Sequence, residues 1–281
     1  MTIDFHTHIF SSRVIEHREE YVRCDACFAE IYASSRAKMI TAEELIASMD
    51  KEGIEASVIL NIGWCNHQIC VETNDYIMES AARYPGRLYG FCAIQPTAED
   101  AIPELERCIR GGIRGIGEMR PDIQGYDLGN VQLMGAIAKT AEEHNLCLLT
   151  HASEPIGHQY SGKGKITPDI IYQFICNFPQ VHFICAHWGG GLPFYALMPE
   201  IASVLQNTYF DTAASPFLYH AAIYENMANI IGSDKILFGS DYPLMPQSRV
   251  ISQIQQSNLT QIAKNAILTD NARKLLNISI K

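Results

Sequence analysis

Two histidines near the N-terminus, His6 and His8, are separated by a single residue. Apolar and polar residues alternate from Ile3 onward, and this pattern predicts a short β-strand. Residues two apart on a strand lie on the same face, so both imidazoles can reach one point. Converging neutral imidazoles commonly hold Zn²⁺ or another divalent metal ion. The pair alone is equally compatible with a surface or core role, so its meaning depends on ligands from later strands.

Four further side chains of metal-ligating type each stand at the end of an apolar run: Glu118, His151, His187 and Asp241. Each one has an ordinary structural explanation, such as an ion pair between Glu118 and Arg120, a core hydrogen bond for His151 or a turn cap for Asp241. Together with the first pair they are hard to explain as packing, because burying several unpaired ionisable groups is costly unless a cation compensates them. We therefore predict a divalent-metal site.

Strands and helices are predicted to alternate along the whole chain. The predicted strands lie within 2–10 and at 56–61, 87–94, 113–118, 146–151, 181–187, 208–211 and 235–241, and the predicted helices lie at 41–52, 73–83, 98–110, 130–144, 167–177, 192–205, 219–231, 246–256 and 260–276. Apolar strands that alternate with helices indicate a parallel sheet covered on both faces. Eight such units in 281 residues favour an α/β fold of the (β/α)₈ TIM-barrel type over an open doubly wound sheet.

The chain shows no change in composition that would divide it, so residues 1–281 are predicted to form a single domain. Residues 10–40 are too long for a simple connection after such a short strand and are predicted to form an extended active-site loop or lid. Thr41 and Glu44 have the spacing of a capping box at the start of the next helix. Residues 246–281 are predicted to be C-terminal helices. In a TIM barrel the strand ends form the active site, which is where the metal-ligating side chains stand.

The motifs His6-x-His8, His187-Trp-Gly-Gly and Gly239-Ser-Asp241-Tyr-Pro, with His151 at a strand end, resemble the metal-dependent hydrolases of the amidohydrolase superfamily. The likeness extends over essentially the whole chain and is closest to the amidohydrolase-2 branch. That branch also holds non-oxidative decarboxylases similar to aminocarboxymuconate semialdehyde decarboxylase. The resemblance therefore implies a TIM-barrel enzyme that uses one or two divalent metal ions, usually zinc.

The resemblance also implies roles for individual residues. It implies that His6, His8 and Asp241 hold the metal and that His151 is a further ligand, as in many members. It implies that His187 polarises the substrate, moves a proton or binds a second metal ion.

Glu118 favours hydrolysis within this superfamily. Many binuclear members carry a carboxylated lysine at the end of strand four, whereas a glutamate there resembles the TatD-like deoxyribonucleases, in which it is itself a metal ligand. The decarboxylases are not expected to need a carboxylate at this place. We therefore expect a metal-dependent hydrolase of a small carbonyl compound, such as an amide, ester or lactone, with Glu118 as a ligand.

The expected hydrolytic mechanism uses a metal-activated water, with Asp241 as general base and with His187 or the metal stabilising the oxyanion. The alternative is a metal-dependent decarboxylase, a carbon–carbon lyase, in which a protonated Asp241 or His187 delivers a proton to carbon. Substrate-binding candidates lie on the loops that follow the same strands: Arg120, His158, Tyr160, Lys163 and Trp188. Arg120 and Lys163 suggest that the substrate carries a carboxylate.

The net charge of −10 argues against a nucleic-acid partner, because no basic stripe is available to release counterions. No apolar run approaches the length of a membrane span and no signal peptide is recognisable, so the nine cysteines indicate reduced thiols in a cytoplasmic protein. Cys24-x-x-Cys27 has zinc-like spacing, but a second close pair is missing. We expect a small-molecule substrate and no membrane partner. The sequence is compatible with a homo-oligomer.

Overall fold

The strands form one sheet whose order follows the sequence. The computed structural model describes residues 2–278, and in that range eight parallel strands are present: β1 Ile3–His8, β2 Ala56–Leu60, β3 Leu88–Cys92, β4 Gly115–Met119, β5 Cys147–Thr150, β6 His182–Cys185, β7 Thr208–Asp211 and β8 Ile236–Leu237. Backbone hydrogen bonds from Phe5 N to Phe238 O (2.7 Å) and from Asp241 N to His6 O (2.9 Å) join the end of β8 to β1. The sheet therefore closes into a barrel, and the predicted single-domain (β/α)₈ fold is confirmed.

Helices connect the strands. Their bounds within the described residues are α1 Ser12–Glu16, α2 Arg18–Cys24, α3 Ala26–Tyr32, α4 Ala42–Glu52, α5 His67–Arg83, α6 Ala101–Arg110, α7 Pro121–Gln124, α8 Val131–Glu143, α9 Pro168–Asn177, α10 Pro199–Val204, α11 Ser215–Leu218, α12 Ile223–Ile231, α13 Gln247–Gln256, α14 Gln261–Asn265 and α15 Asn271–Leu276. None of the helices within residues 2–278 has the length and apolar character that crossing a membrane requires. The predicted capping box is present, since Thr41 Oγ1 accepts from Glu44 N and Glu44 Oε2 accepts from Thr41 N.

Two apolar layers hold the barrel together. One cluster contains Phe5, Phe91, Leu149 and Ile184, which come from strands on opposite sides of the barrel, so it fills the interior. The other cluster packs the outward side chains of the strands against the helices. Burial on both faces of the strands is what a parallel sheet covered by helices requires. The metal-ligating side chains occupy the end of the barrel above this interior core.

The long segment predicted after β1, residues 10–40, contains regular secondary structure. It contains α1, α2 and α3, and Phe28 of α3 stacks on Trp64 with ring centroids 5.1 Å apart. The buried carboxylate of Asp25 accepts from Phe28 N (3.0 Å), Cys65 N (2.7 Å) and Asn66 N (3.1 Å). One side chain therefore begins α3 and also ties it to the loop after β2.

Three predicted elements differ from the structure. The predicted helix at 192–205 is instead a 3₁₀ segment, His187–Leu197, followed by the short α10, because residues 188–191 adopt positive φ. The helix predicted at 260–276 is interrupted by a π-helical turn, Ala266–Asp270. The last predicted strand shortens to β8, since the chain beyond it bends at Asp241, whose φ is 65°. Residues 279–281 of the predicted C-terminal helices and residue 1 lie outside the described residues.

Asp25→Ala is expected to loosen the helices after β1 while leaving the barrel intact. The change removes the acceptor of three backbone N–H groups, and hydrogen bonds to charged groups contribute about 1.5–3 kcal/mol each. We expect the opening free energy of residues 12–37 to fall by about 2 kcal/mol, measured by hydrogen–deuterium exchange with mass spectrometry. Asp25→Asn, which keeps one acceptor oxygen, serves as the control and should show a smaller effect. Unchanged exchange in the alanine variant would contradict this account.

Candidate metal centre and active-site cavity

His6, His8 and Asp241 converge at the open end of the barrel. The two Nε2 atoms lie 3.1 Å apart, and Asp241 Oδ1 lies 3.5 Å from His8 Nε2 and 3.8 Å from His6 Nε2. Two nitrogen lone pairs at this separation repel each other unless a proton or a metal ion lies between them. The three ligand atoms form one of the two groups, within the described residues, that are close enough to share a metal ion.

Glu118 stands in the middle of the histidines. Its Oε2 lies 3.6 Å from His8 Nε2 and 3.8 Å from His6 Nε2, while its Oε1 lies 2.9 Å from His151 Nδ1 and 3.6 Å from His187 Nε2. Glu118 thus faces four imidazoles. The ion pair with Arg120, which the sequence left open as the ordinary explanation of this residue, does not form, since Arg120 pairs with Glu30 and Asp122. One oxygen faces the N-terminal histidine pair, and the other faces the histidines of β5 and β6.

The distances from the two histidines to the neighbouring carboxylates suit a bound metal ion. Ligands at about 2.1 Å from a shared ion lie about 3.0–3.5 Å apart at octahedral or tetrahedral angles. The two Nε2 atoms lie 3.1 Å apart, and each lies 3.5 to 3.8 Å from Asp241 Oδ1 and from Glu118 Oε2. Two imidazoles and two carboxylates suit a first-row divalent metal, and the positive charge would compensate the buried carboxylates.

His151 lies beside this group rather than in it. Its Nδ1 faces Glu118 and its Nε2 lies 3.1 Å from Ser153 Oγ, so both ring nitrogens already have partners. Neither of the metal-competent groups found within residues 2–278 includes it. The resemblance implied His151 as a ligand, whereas the structure places it as a hydrogen-bond partner of Glu118. His187 does join one group, with His6 and Glu118.

The pKa values show how strongly the centre favours positive charge. Burial would lower the pKa of His6, but the charge and hydrogen bond of Asp211 outweigh it and raise the pKa to about 10. Burial likewise opposes charging of His187, yet the hydrogen bond to Glu118 and the charge of Asp241 raise its pKa to about 9. Burial would raise the pKa of Asp241, but the hydrogen bond from His8 and the charge of His6 hold it at about 2. The carboxylates therefore stay ionised and demand compensating cations.

Two residues of the centre have unusual backbone conformations. His187 has φ 53° and Asp241 has φ 65°, which is the left-handed region that non-glycine residues rarely occupy. Hydrogen bonds from His187 N to Asp211 Oδ1 (2.9 Å) and from Asp241 N to His6 O (2.9 Å) hold these conformations. Such strained residues cluster at functional sites, where the surrounding structure over-determines them.

Asp211 and Asp4 were missed by the sequence analysis. Both are fully buried, and Asp211 Oδ2 lies 2.8 Å from His6 Nδ1. Asp4 accepts from Ser240 N (3.0 Å), Ser240 Oγ (2.5 Å) and Gln247 Nε2 (2.7 Å), which ties β1 to the chain that carries Asp241. The strand-end rule applied to 208–211 would have found Asp211. Asp4 gave no such signal, because its partners Ser240 and Gln247 lie 236 and 243 residues away.

The centre forms the floor of a cavity of 680 Å³. Polar groups of the floor are His8, Glu118, His151, His187 and Asp241, and the walls include the apolar side chains of Ile31, Tyr32, Ile62, Phe217, Leu218 and Leu244. The chain after β1 contributes a long stretch of the wall. This volume lies in the range of small-molecule sites, about 300–1,000 Å³.

The predicted substrate-binding residues separate into two groups. Arg120, His158 and Tyr160 line the cavity. Lys163 and Trp188 are not among its described lining residues. Lys163 donates to the carbonyls of Ile156 and His158. Substrate binding by Trp188 stays a prediction; its indole is fully buried in the core and donates to Ser215 Oγ at 2.7 Å.

Arg120 faces the cavity with its charge already compensated. Its guanidinium lies 3.0 Å from Glu30 Oε1 and 3.2 Å from Asp122 Oδ1. A side chain that is only 2% exposed and faces two carboxylates is primarily a support for the cavity wall. Substrate binding by Arg120 stays a prediction, and a substrate carboxylate would compete with Glu30 and Asp122 for its guanidinium.

The barrel carries metal-competent groups of side chains at its strand ends, beneath a cavity of small-molecule size. The family model Amidohydro_2, described as amidohydrolase, matches residues 3–278, and the chain belongs to this family. The predicted membership of the amidohydrolase-2 branch is confirmed.

One relative and two solved structures that the chain resembles are named as decarboxylases. The chain is 21% identical to a 2-amino-3-carboxymuconate-6-semialdehyde decarboxylase of Dictyostelium discoideum, over 99% of this chain and 92% of the relative. Its fold matches 5-carboxyvanillate decarboxylase of Novosphingobium aromaticivorans, complexed with manganese and a nitrobenzoic acid, with TM-score 0.81, 16% identity and 99% and 96% of the two chains covered. It also matches a dihydroxybenzoic acid decarboxylase of a Polaromonas species with bound manganese and 2-nitroresorcinol, with TM-score 0.75, 19% identity and coverage of 100% and 98%.

These relatives overturn the expected hydrolytic activity. The prediction of a metal-dependent hydrolase is wrong, because the relatives with named activities are decarboxylases. The prediction relied on Glu118 as a sign of hydrolysis. In the structure this carboxylate faces four histidines, an arrangement that serves charge compensation in either reaction and does not distinguish the two. Zinc as the specific metal is not supported either, since the two solved structures described above hold manganese.

Arg120→Met is expected to destabilise the protein by about 3 kcal/mol, because it leaves the buried Asp122 carboxylate without its partner. Urea unfolding measures this change. The control is Glu30→Gln, which removes a partner whose side chain is 37% exposed and should cost less than about 1 kcal/mol. If the methionine variant is as stable as the unmodified protein, Arg120 does not support the wall in this way.

Proposed function

We propose that the protein is a metal-dependent, non-oxidative decarboxylase that acts on a small carboxylic acid whose acidic carbon is part of an aromatic or conjugated system. The observation that carries this proposal is the pairing, on one cavity floor, of the metal-competent group His6, His8 and Asp241 with His187, which lies across Glu118 from it. The activities named for the relatives support the same chemistry.

We assign His6, His8, Asp241 and Glu118 Oε2 to the divalent ion. This donor set accepts both Mn²⁺ and Zn²⁺ in chemical terms. When bound, the ion would supply Lewis-acid stabilisation of the substrate's oxygen atoms. His151 holds Glu118 in place through the 2.9 Å contact between Nδ1 and Oε1.

His187 is the residue assigned to the proton. Its Nδ1 lies 3.1 Å from the carbonyl of Ala213, so Nδ1 carries a hydrogen and Nε2 is the nitrogen that faces the cavity. In decarboxylation the bond between the carboxyl group and the ring or chain carbon breaks, its electron pair stays on that carbon, and CO₂ leaves. The proton from His187 Nε2 then forms the new C–H bond. Asp241 serves as a metal ligand and not as the proton donor.

The walls hold and shield the substrate. Tyr32, Ile62 and Phe217 present apolar surface that suits a flat unsaturated ring or chain. We assign His158 and Tyr160, on the loop after β5, to contacts with the substrate's polar substituents. Residues 10–40, through α3 and the chain that follows it, form the wall where substrate selection would occur.

Metal removal is expected to abolish CO₂ release. The purified protein, treated with a chelator and dialysed, should release no CO₂ from a panel of 5-carboxyvanillate, 2,6-dihydroxybenzoate and 2-amino-3-carboxymuconate semialdehyde, and adding Mn²⁺ should restore release from at least one member. CO₂ is measured by a coupled assay and bound metal by mass spectrometry. Metal-loaded protein that releases no CO₂ from any of these acids would contradict the proposal.

His187→Gln is expected to lower kcat for CO₂ release by about 10²-fold or more, because proton transfer by a positioned side chain contributes about 10²–10⁴-fold. The metal content should remain that of the unmodified protein. The matched control is His182→Gln, at the opposite end of the same strand and away from the cavity floor, which should retain its activity. A His187→Gln variant with undiminished kcat would remove His187 from the mechanism.

A further inference from the structure

Strand β7 contributes no side chain to the metal-competent groups found within residues 2–278. Its last residue, Asp211, and the turn that follows it nevertheless contact two of the histidines. Asp211 Oδ2 lies 2.8 Å from His6 Nδ1, and Asp211 Oδ1 accepts from His187 N at 2.9 Å and from Ala213 N at 3.0 Å. The carbonyl of Ala213 lies 3.1 Å from His187 Nδ1. Asp211 and Ala213 therefore hold the Nδ1 atoms of an assigned metal ligand, His6, and of the assigned proton donor, His187.

We propose that the Asp211 carboxylate and the Ala213 carbonyl position His6 and His187 by keeping a hydrogen on Nδ1 of each imidazole. Each imidazole is then left with Nε2 as the one nitrogen that can bind a metal ion or transfer a proton. The hydrogen bond made by one ring nitrogen sets the state of the other, and such partners orient metal-bound histidines in general. This inference rests on the proposed function for the roles of the two histidines.

The chemistry of Asp211 explains why a carboxylate is needed. A carboxylate only accepts hydrogen bonds, and all three partners of Asp211 donate. An asparagine has one accepting and one donating end. With its nitrogen toward His6 it would place the hydrogen of that imidazole on Nε2, where it blocks metal binding. With its nitrogen toward the backbone it would face two N–H groups and displace the turn that holds His187.

The His6–Asp211 pair is enclosed by tight packing. Gly239 lies directly against the pair: a Cβ atom on it would come within 2.8 Å of His6 Cβ and 3.4 Å of Asp211 Cβ. His6 and Asp211 are both fully buried. Thr212 Oγ1 separately donates to Gly239 O (2.8 Å) and accepts from Gly239 N (3.0 Å), without contacting either member of the pair. Asp211 is therefore the acceptor that His6 Nδ1 meets in this enclosed space.

The test compares Asp211→Asn with Thr212→Val in the full chain. Thr212 is the adjacent buried residue and makes structural hydrogen bonds at the same strand end without touching a histidine. Metal-free proteins are titrated with Mn²⁺ by isothermal titration calorimetry. We expect Asp211→Asn to bind Mn²⁺ about 10–100-fold more weakly, as is typical when the partner of a ligating histidine is lost. Thr212→Val should lose stability and keep the affinity of the unmodified protein.

A second measurement separates positioning from general damage. Nitrogen-15 NMR of histidine-labelled, Zn²⁺-loaded protein reports which ring nitrogen carries the hydrogen, with His6 and His187 assigned by their glutamine variants. We expect Nδ1–H for His6 in the unmodified protein and a changed signal in Asp211→Asn. Should the asparagine variant not fold, an Nε2–H signal for His6 in the unmodified protein would itself overturn the inference.

The outcomes distinguish the two proposals. If the unmodified protein binds no Mn²⁺ or Zn²⁺, the proposed function fails. The positioning role is then judged by whether the Nδ1–H signals of the metal-free protein are lost in Asp211→Asn. If the unmodified protein binds Mn²⁺ and Asp211→Asn binds it equally well with His6 unchanged, the positioning role fails while the proposed function stands.

Discussion

The contact between Glu118 and the histidines around it is the interaction on which the rest of the centre depends. The carboxylate is buried, with one oxygen toward His6 and His8 and the other toward His151 and His187. A buried carboxylate is tolerated only when positive charge and hydrogen bonds compensate it. Because those partners come from β1, β5 and β6, the electrostatic requirement of one side chain holds several strand ends in register around one point.

In a barrel, these groups come together with a small loss of conformational entropy. Parallel strands end on the same face, so groups distant in sequence meet without long loops. Asp4 and Asp211 then join β1 to the ends of β8 and β7, and both carboxylates are buried. The helices after β1 are held separately through Asp25, so the cavity wall can vary without disturbing the floor. A fixed floor under a variable wall is how this fold hosts many chemistries.

The types of the residues at the site led to the wrong prediction of the reaction class. A carboxylate beside a metal is compatible with hydrolysis, in which water is deprotonated, and with decarboxylation, in which carbon is protonated. The two differ in where a proton is held and where the substrate carbon lies, and not in the ligand types. The structure places His187 across Glu118 from the metal-competent group and holds its Nδ1 with a backbone carbonyl. This geometry, together with the decarboxylases among the relatives, supports protonation of carbon.

The sequence by itself determined the barrel and the six strand-end side chains of metal-ligating type, because hydrophobic periodicity and strand-end position are local properties. Only the tertiary structure decided which of those side chains lie in a metal-competent group and which lie beside it. It separated His151 from the metal-competent groups, compensated the charge of Arg120, and buried Trp188 in the core. It also revealed Asp211, whose contact with His6 spans 205 residues. Such pairings depend on strand register and side-chain rotamers across the barrel, and no local pattern in the chain encodes them.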